Sequence, residues 1–404
     1  MKYWIWLSRA LNYRTDKLKL LLSRFGSAEK IYNADIRDIT NVCKLSAQEY
    51  DKLSTKSLNK CEEILSECEQ LGIKVLGYDD PMYPERLRNI DTPPCCLYYK
   101  GELPQFDKIP TVCLVGTRKA DAYSCRVAWS LSARLALANF LIVSGGALGI
   151  DSASHKGALD VKRPTVAVLA CGINYPYLKQ NSALRDDISF SGCLISEYPP
   201  NYPLKKEAFH LRNRLLSGLS LGVVIIEAGE KSGALITARC ASEQGRDVFV
   251  ITGKPDDKKY AGSNALLRDG AIPVFKTADV ISEYIGGYGN IIDIEKSEGF
   301  NLGALYSAIY KGNKNMDSTT KKRVVVTENV VEKKATEKNI LKNNIQTLSK
   351  NAELVYNYID NDFFTLDDLV GCGIPVSDLF SIVTELELQG LVEAVPGGRY
   401  AKRM

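Results

Sequence analysis

Between about residues 105 and 285, short apolar runs alternate with stretches of helical spacing, and this alternation constrains the fold more than any other feature of the chain. Strands are expected at Val112–Val115, Phe140–Ser144, Val166–Ala170, Cys193–Ser196, Val223–Glu227 and Val248–Thr252. Helices are expected between them at Tyr123–Ala138, Ser152–Leu159, Leu211–Leu219 and Ala234–Gln244. A strand that is apolar at every position is covered on both faces, which is the condition of a parallel sheet wrapped by helices. The expected fold is α/β, a doubly wound parallel sheet.

In such sheets ligands bind beyond the carboxyl ends of the strands. Three expected strands run into glycine there: Val115-Gly116-Thr117-Arg118, Ser144-Gly145-Gly146-Ala147-Leu148-Gly149-Ile150-Asp151, and Glu227-Ala228-Gly229-Glu230-Lys231-Ser232-Gly233-Ala234. A strand, a glycine turn and a helix start present N–H groups and the positive end of a helix dipole, so three of them on one edge read as an anion site. The chain has no Gly-x-x-x-x-Gly-Lys-Ser/Thr loop and no Gly-x-Gly-x-x-Gly, which argues against P-loop hydrolysis and a standard dinucleotide site. No catalytic residue, metal site or cofactor is expected. Asp151 and His155 are four residues apart on one helix face, and the pair reads as a hydrogen bond fixing the turn.

The run Lys205-Lys206-Glu207-Ala208-Phe209-His210-Leu211-Arg212-Asn213-Arg214 points to the ligand class. Cations that track a backbone and a ring that meets an unstacked base are what single-stranded nucleic acid requires. The same pattern also describes an ordinary helix start with Phe209 in the core.

Around the sheet the chain reads as four further pieces. Residues 1–75 look like a small helical domain: Leu18, Leu21, Leu22 and Phe25 lie at helical spacing before Gly26, and Ser46–Leu71 reads as one more helix. Residues 76–104 read as a connecting segment. Residues 286–347 read as a basic flexible linker, since Lys311–Lys350 holds ten Lys or Arg against four acids. Residues 348–404 have the size of a winged helix, with stripes at Leu354/Val355/Tyr358/Ile359, Leu366/Leu369/Val370 and Leu379/Ile382/Val383/Leu386/Leu388, then two short strands around Pro396-Gly397-Gly398. From Asn351 onward nine acids face three basic residues, so this module is expected to bind protein or regulate access rather than read duplex DNA. No run of ~18 apolar residues exists, so no membrane span and a cytoplasmic location are expected. The eleven scattered cysteines, with only two histidines, read as small buried hydrophobes in a reducing compartment.

These residues resemble the DNA-processing family DprA, also called Smf. The likeness is carried by Gly116-Thr117-Arg118, Ser144-Gly145 through Gly149-Ile150-Asp151 to His155, Val166–Gly172 with Tyr175-Pro176, Ser196-Glu197-Tyr198-Pro199-Pro200, Phe209 through Arg214, and Ser232-Gly233-Ala234-Leu235-Ile236-Thr237-Ala238. The resemblance implies an extended Rossmann domain that binds single-stranded DNA, acts as a homodimeric recombination mediator and helps load the RecA recombinase during DNA uptake and natural transformation. It also implies that Arg118 contacts a phosphate, that Lys206 and Phe209 hold backbone and base, that Arg212 completes a cationic wall with Asn213 and Arg214 beside it, and that the Ser144-Gly145-Gly146 turn, with Gly149, donates N–H groups. Lys231, Ser232 and Gly233 form the third turn of the same expected site. Two positions depart from the family pattern: Thr252-Gly253 stands where Pro-Gly is usual, and Leu148 where an arginine is usual, which removes one cation. Two rival readings are a nucleotide hydrolase of the lysine-decarboxylase-like group, whose Pro-Gly-Gly-x-Gly-Thr-x-x-Glu turn the chain lacks, and a winged-helix regulator.

Overall fold

The structure is a computed structural model, and it describes residues 1–177, 179–311, 348–359, 363–365, 367–369, 372–388, 391–395 and 399–402. The chain divides into two units, Met1–Gly312 and Asn313–Met404. The first opens with helices α1 (Lys2–Ala10), α2 (Leu18–Phe25), α3 (Ala28–Asn33), α4 (Ile36–Val42), α5 (Ala47–Thr55) and α6 (Asn59–Gln70). Gly26 ends α2 in the left-handed conformation (φ 83°), as its position in the sequence implies. The single helix expected over 46–71 is two. Ser46 and Glu49 start α5 with reciprocal side-chain-to-backbone hydrogen bonds, and Lys56 then turns left-handed at φ 47° and breaks the run.

Next come β1 (Lys74–Gly77), α7 (Glu85–Arg88), β2 (Cys96–Gly101), β3 (Thr111–Val115), α8 (Ala122–Leu137), β4 (Leu141–Ser144), α9 (Ile150–Asp160) and β5 (Thr165–Leu169). They are followed by α10 (Ser182–Ser191), β6 (Cys193–Ser196), α11 (Lys206–Gly218), β7 (Gly222–Ile225), α12 (Ala234–Glu243), β8 (Asp247–Ile251), α13 (Ala261–Arg268), β9 (Ile272–Val274) and α14 (Thr277–Ile281). The strands form one nine-stranded sheet in the order β1-β2-β6-β5-β4-β3-β7-β8-β9. It is parallel from β6 to β9, whereas β2 pairs antiparallel with both β1 and β6. The stretch read as a connector, 76–104, therefore supplies an edge of the sheet.

One sheet face is covered by α7, α11 and α12, through residues such as Leu87, Leu215, Leu219 and Ala238 on Val166, Val168 and Ile225. On the other face α8, α9 and α14 cover β3, β4 and β7. On the β2–β6–β5 flank of the second face α10 supplies Leu184 and Ile188, and the N-terminal helices complete the cover: Trp4, Ile5, Leu7, Cys61 and Ile64 share one core with them and with Tyr98, Ala167, Leu169 and Leu194. The helical region thus packs as a layer on the sheet, within one compact unit. The apolar side of a flank strand must be covered, and these helices cover it.

The expected linker also begins later than residue 286. Short helices at Ile285–Tyr288, Ile294–Glu298 and Leu302–Tyr306 continue the body. Leu302 is buried against Trp129, Ala133 and Leu137 of α8, Tyr306 and Tyr310 contact the Trp129 ring, and the Tyr310 hydroxyl donates to Asp160 at 2.8 Å. Leu302, Tyr306 and Tyr310 repeat every four residues, a helical signal that charge counting overlooked. The most basic part of the expected linker, 312–347, lies outside the described residues.

The second unit has its own core. A helix at Lys350–Tyr358 packs on a helix at Val376–Leu388, and Val392–Val395 pairs antiparallel with Arg399–Lys402, which also pairs with Phe363–Phe364. Ala352, Val355 and Ile359 form the buried stripe of the first helix, while Leu354 and Tyr358, expected to share it, are 56% and 47% exposed. Leu379, Ile382, Val383 and Leu386 are buried as expected. Leu366, Val370 and the turn Pro396-Gly397-Gly398 fall outside the described residues, as does the side chain of Leu388. Seven cysteines are buried, Cys61, Cys68, Cys95, Cys96, Cys113, Cys171 and Cys193. Among the described residues no helix is long and apolar enough to cross a membrane.

Candidate nucleic-acid interface

From β3 the chain steps outward through β4, β5 and β6, returns along α11, and steps outward on the other side through β7, β8 and β9. The strand order therefore reverses between β3 and β7, and a crevice opens beyond their carboxyl ends. It is a cleft of ≈ 310 Å³ walled by Gly116–Lys119 after β3, by α11, and by Ser232–Thr237 at the start of α12.

Arg118 and Lys119 are exposed at its mouth. The Arg118 guanidinium carbon sits 4.2 Å from the centroid of the Phe209 ring. Tyr177 meets the same ring edge-on at 6.0 Å. Phe209 is half-buried and packs beside Ala170, Tyr198 and Ala208, while Arg118 covers its outer side. A guanidinium held on a ring face keeps N–H groups for phosphate oxygens and also offers a plane to a base.

Deeper in, the arginines of α11 do something else. Arg212 is 5% exposed. Its Nη1 donates to the carbonyl of Gly145 at 2.8 Å and also to that of Val168, and its Nε donates to Asn213 at 3.3 Å. It thereby ties the end of β4 to β5. A Cβ at Gly145 would fall on this guanidinium, so a larger residue there would displace it from the two carbonyls. Burial lowers the Arg212 pKa against the pull of neighbouring Asp151. Burial likewise raises that of Asp151, with Arg212 opposing. Arg214 leaves the cleft altogether: its Nη2 donates to both oxygens of Glu197, at 2.7 and 2.8 Å, and Glu197 is 1% exposed. Burial raises the Glu197 carboxyl and the Arg214 charge opposes that shift. Both guanidinium groups donate to internal acceptors, Arg212 while still lining the cleft and Arg214 behind it.

The glycine turn after β4 is also occupied from within. The Ser144 hydroxyl is buried and donates to Leu114 O at 2.7 Å, and Ala147 N donates to Asp151 at 3.3 Å. Gly145 and Gly146 are buried, and Gly149, at φ 75°, lies against Thr117 O where a Cβ would collide. Arg212 thus takes the Gly145 carbonyl and Asp151 the Ala147 N–H of this turn. His155 does not fix this turn either. Thr165 Oγ1 donates to Ile142 O, so it accepts from His155 Nδ1–H at 2.9 Å, and the histidine braces β4 and β5. Burial and the charge of Arg212 push its pKa down to about 3, so the ring is neutral.

Of the residues read from the sequence, Arg118, Phe209, Arg212, Asn213, Ser232 and Gly233 meet at the cleft. Asn213 Nδ2 donates to Gly233 O at 3.3 Å and joins α11 to the third turn. Lys206 and Lys231 are exposed beside it without lining it, and Ser144, Gly145, Gly146, Gly149 and Arg214 stand behind it. Thr117, His210 and Thr237 also line it, from within runs quoted above but given no role there, whereas Lys119 and Tyr177 were not foreseen. The signal for Lys119 and Tyr177 was adjacency, to Gly116-Thr117-Arg118 and to Tyr175-Pro176. Among the described residues no group of three or more His, Cys, Asp or Glu is placed to hold a metal.

The chain matches the family described as DNA recombination-mediator protein A over residues 74–285, and a DprA winged helix domain over residues 342–398. It is 30% identical to protein Smf of Synechocystis over 99% of this chain and 98% of that protein. It is 36% identical to the DNA processing protein DprA of Bacillus subtilis over 55% of this chain and 75% of that protein. The X-ray structure of DprA from Streptococcus pneumoniae superposes with a TM-score of 0.63 at 30% identity, covering 70% of this chain and 98% of that one.

Proposed function

Because the chain belongs to the DprA (Smf) family of DNA-processing recombination mediators, we propose that its switch-point cleft binds single-stranded DNA and that the protein acts on DNA by binding rather than by catalysis. The observation that carries this reading is Arg118 held 4.2 Å over the half-buried Phe209 ring at the mouth of the cleft, with Lys119 exposed next to it. A cation and a ring in one unit suit an unpaired strand, whose bases are free to stack while its phosphates meet charge. Double-stranded DNA hides those faces. Arg212 and Asn213 shape the floor, and Ser232 and Gly233 bring the start of α12, with its positive dipole end, to the opposite wall. The finer role follows from the family: a homodimer that coats incoming strands in the cytoplasm and helps a RecA-class recombinase assemble on them.

The test is titration of labelled oligothymidylate and of duplex against the purified protein across a salt series. Each phosphate contact on a single strand contributes a log–log slope of about −0.7, so three or four contacts give roughly −2 to −3. Tighter duplex binding, or affinity that ignores salt, overturns the reading. ATP is expected to remain unhydrolysed with or without DNA, as measured by phosphate release.

A further inference from the structure

A second and larger cleft, of ≈ 840 Å³, lies on the other side of α11, between that helix and the N-terminal helical layer. The two clefts share a wall. Phe209, His210, Arg212 and Asn213 line the first, whereas Lys205, Glu207, Ala208 and Leu211 line the second. Opposite α11 stand Arg9, Arg14, Lys17 and Lys52, from the end of α1, the turn after it and α5.

Five cations thus face three carboxylates, Asp16, Glu49 and Glu207, and Glu49 is already bonded to Lys17 at 2.7 Å. The pKa of Lys52 is lowered by burial and further by the charges of Arg9 and Lys205. Like charges crowded in this way are relieved by an anion. The floor is aromatic. Tyr198 and Tyr202 stack at 4.7 Å, and Tyr13 meets them edge-on at 5.1 and 5.0 Å. Tyr13 reaches them from a turn in which Asn12 and Tyr13 are both left-handed, at φ 52° and 59°, a conformation that side chains other than glycine adopt only under constraint. Lys205 Nζ stands 5.2 Å over the Tyr202 ring, as Arg118 stands over Phe209. A cation on a ring therefore flanks the start of α11 on each side.

We propose that this second cleft takes the sugar–phosphate backbone of a single strand that continues from the first cleft across the N-terminal end of α11. The inference rests on the single-strand reading of the first cleft and gives the helical layer a share in DNA binding. The deciding experiment compares oligothymidylates of about 6 and about 20 nucleotides, one short enough for a single cleft and one long enough for both. In the wild type the longer strand binds more tightly and with the steeper salt dependence. In the charge-reversed double variant Arg14→Glu/Lys205→Glu its affinity falls about tenfold at low salt and its salt slope flattens by about 1.4, two contacts' worth, while the short strand changes less than about twofold. Thermal melting of the same variant confirms that it folds. An unchanged affinity for the longer strand, or equal losses for both lengths in a folded variant, overturns the second site. A wild type that fails to bind either strand overturns both clefts together.

Discussion

The turns after β3 and after β4 are built alike, a buried strand running through glycine into a helix, yet one faces solvent and the other is packed solid. After β3, Arg118 and Lys119 project at the cleft mouth. After β4, the guanidinium of Arg212 and the carboxylate of Asp151 occupy the turn. The contrast teaches that a glycine-rich strand end is an offer of N–H groups which the protein itself can accept. Arginine follows the same logic: at Arg118 it is an open charge, and at Arg212 and Arg214 it satisfies buried oxygens.

Substitutions break this comparison most clearly where the interior is densest. Arg212→Ala leaves Asp151 buried without its counter-charge and two carbonyls without a donor, and is expected to cost about 3–5 kcal/mol of stability in denaturant unfolding. Binding by the fraction still folded should fall far less. If the opposite is found, a stable protein that no longer binds, Arg212 belongs with Arg118 after all. Acid should expose the same interior by another route. His155 is neutral in the fold with a pKa of about 3, whereas the unfolded chain takes up that proton near pH 6.5. Its contribution to stability is therefore complete above about pH 6.5 and is lost as pH falls, by about 2 kcal/mol at pH 5. The raised carboxyls of Asp151 and Glu197 act in the reverse sense, so the informative measurement is the slope of unfolding free energy between pH 5 and 7, steeper in wild type than in His155→Gln.

The open turn should respond in affinity. Phe209→Ala is expected to weaken single-strand binding by about 1–3 kcal/mol, read by anisotropy, with a smaller fall in melting temperature because the ring is only half-buried. Arg118→Ala should leave the melting temperature nearly unchanged, since an exposed cation on a ring contributes only about 0.5–1 kcal/mol. It should flatten the salt slope by about 0.7. A salt slope unchanged by this substitution places the phosphate elsewhere.

How much of this was legible follows from how each residue is buried. The strands β3 to β7 could be read because both their faces are covered and every position is buried, and β8 because Val248 to Ile251 form an apolar run. The antiparallel strands β1 and β2 could not, because Lys74 and Lys100 lie exposed on them and proline and glycine flank them. Arg118, Phe209, Ser232 and Gly233 were legible as site residues from their place at strand and helix ends. The internal bonds of Arg212 were not legible, because composition counts a charge without saying what surrounds it. The hint was present: Ala208, Arg212, Leu215, Leu216 and Leu219 fall on one helical stripe, and all are buried. A cation within an apolar stripe has an internal partner more often than an external ligand.

The antiparallel joint between β2 and β6 orders events as the chain leaves the ribosome. Gly101 and Cys193 are register partners at that joint, and about 90 residues have to be made between them, which takes roughly 5–20 s at ordinary elongation rates. Until β6 emerges, β2 has no neighbour on the body of the sheet, and the helical layer has only part of the surface on which it comes to rest. The first quarter of the protein is born early and finished late, and a nascent chain halted before Cys193 exposes the apolar side of Trp4, Ile5 and Leu7 to whatever waits at the exit tunnel.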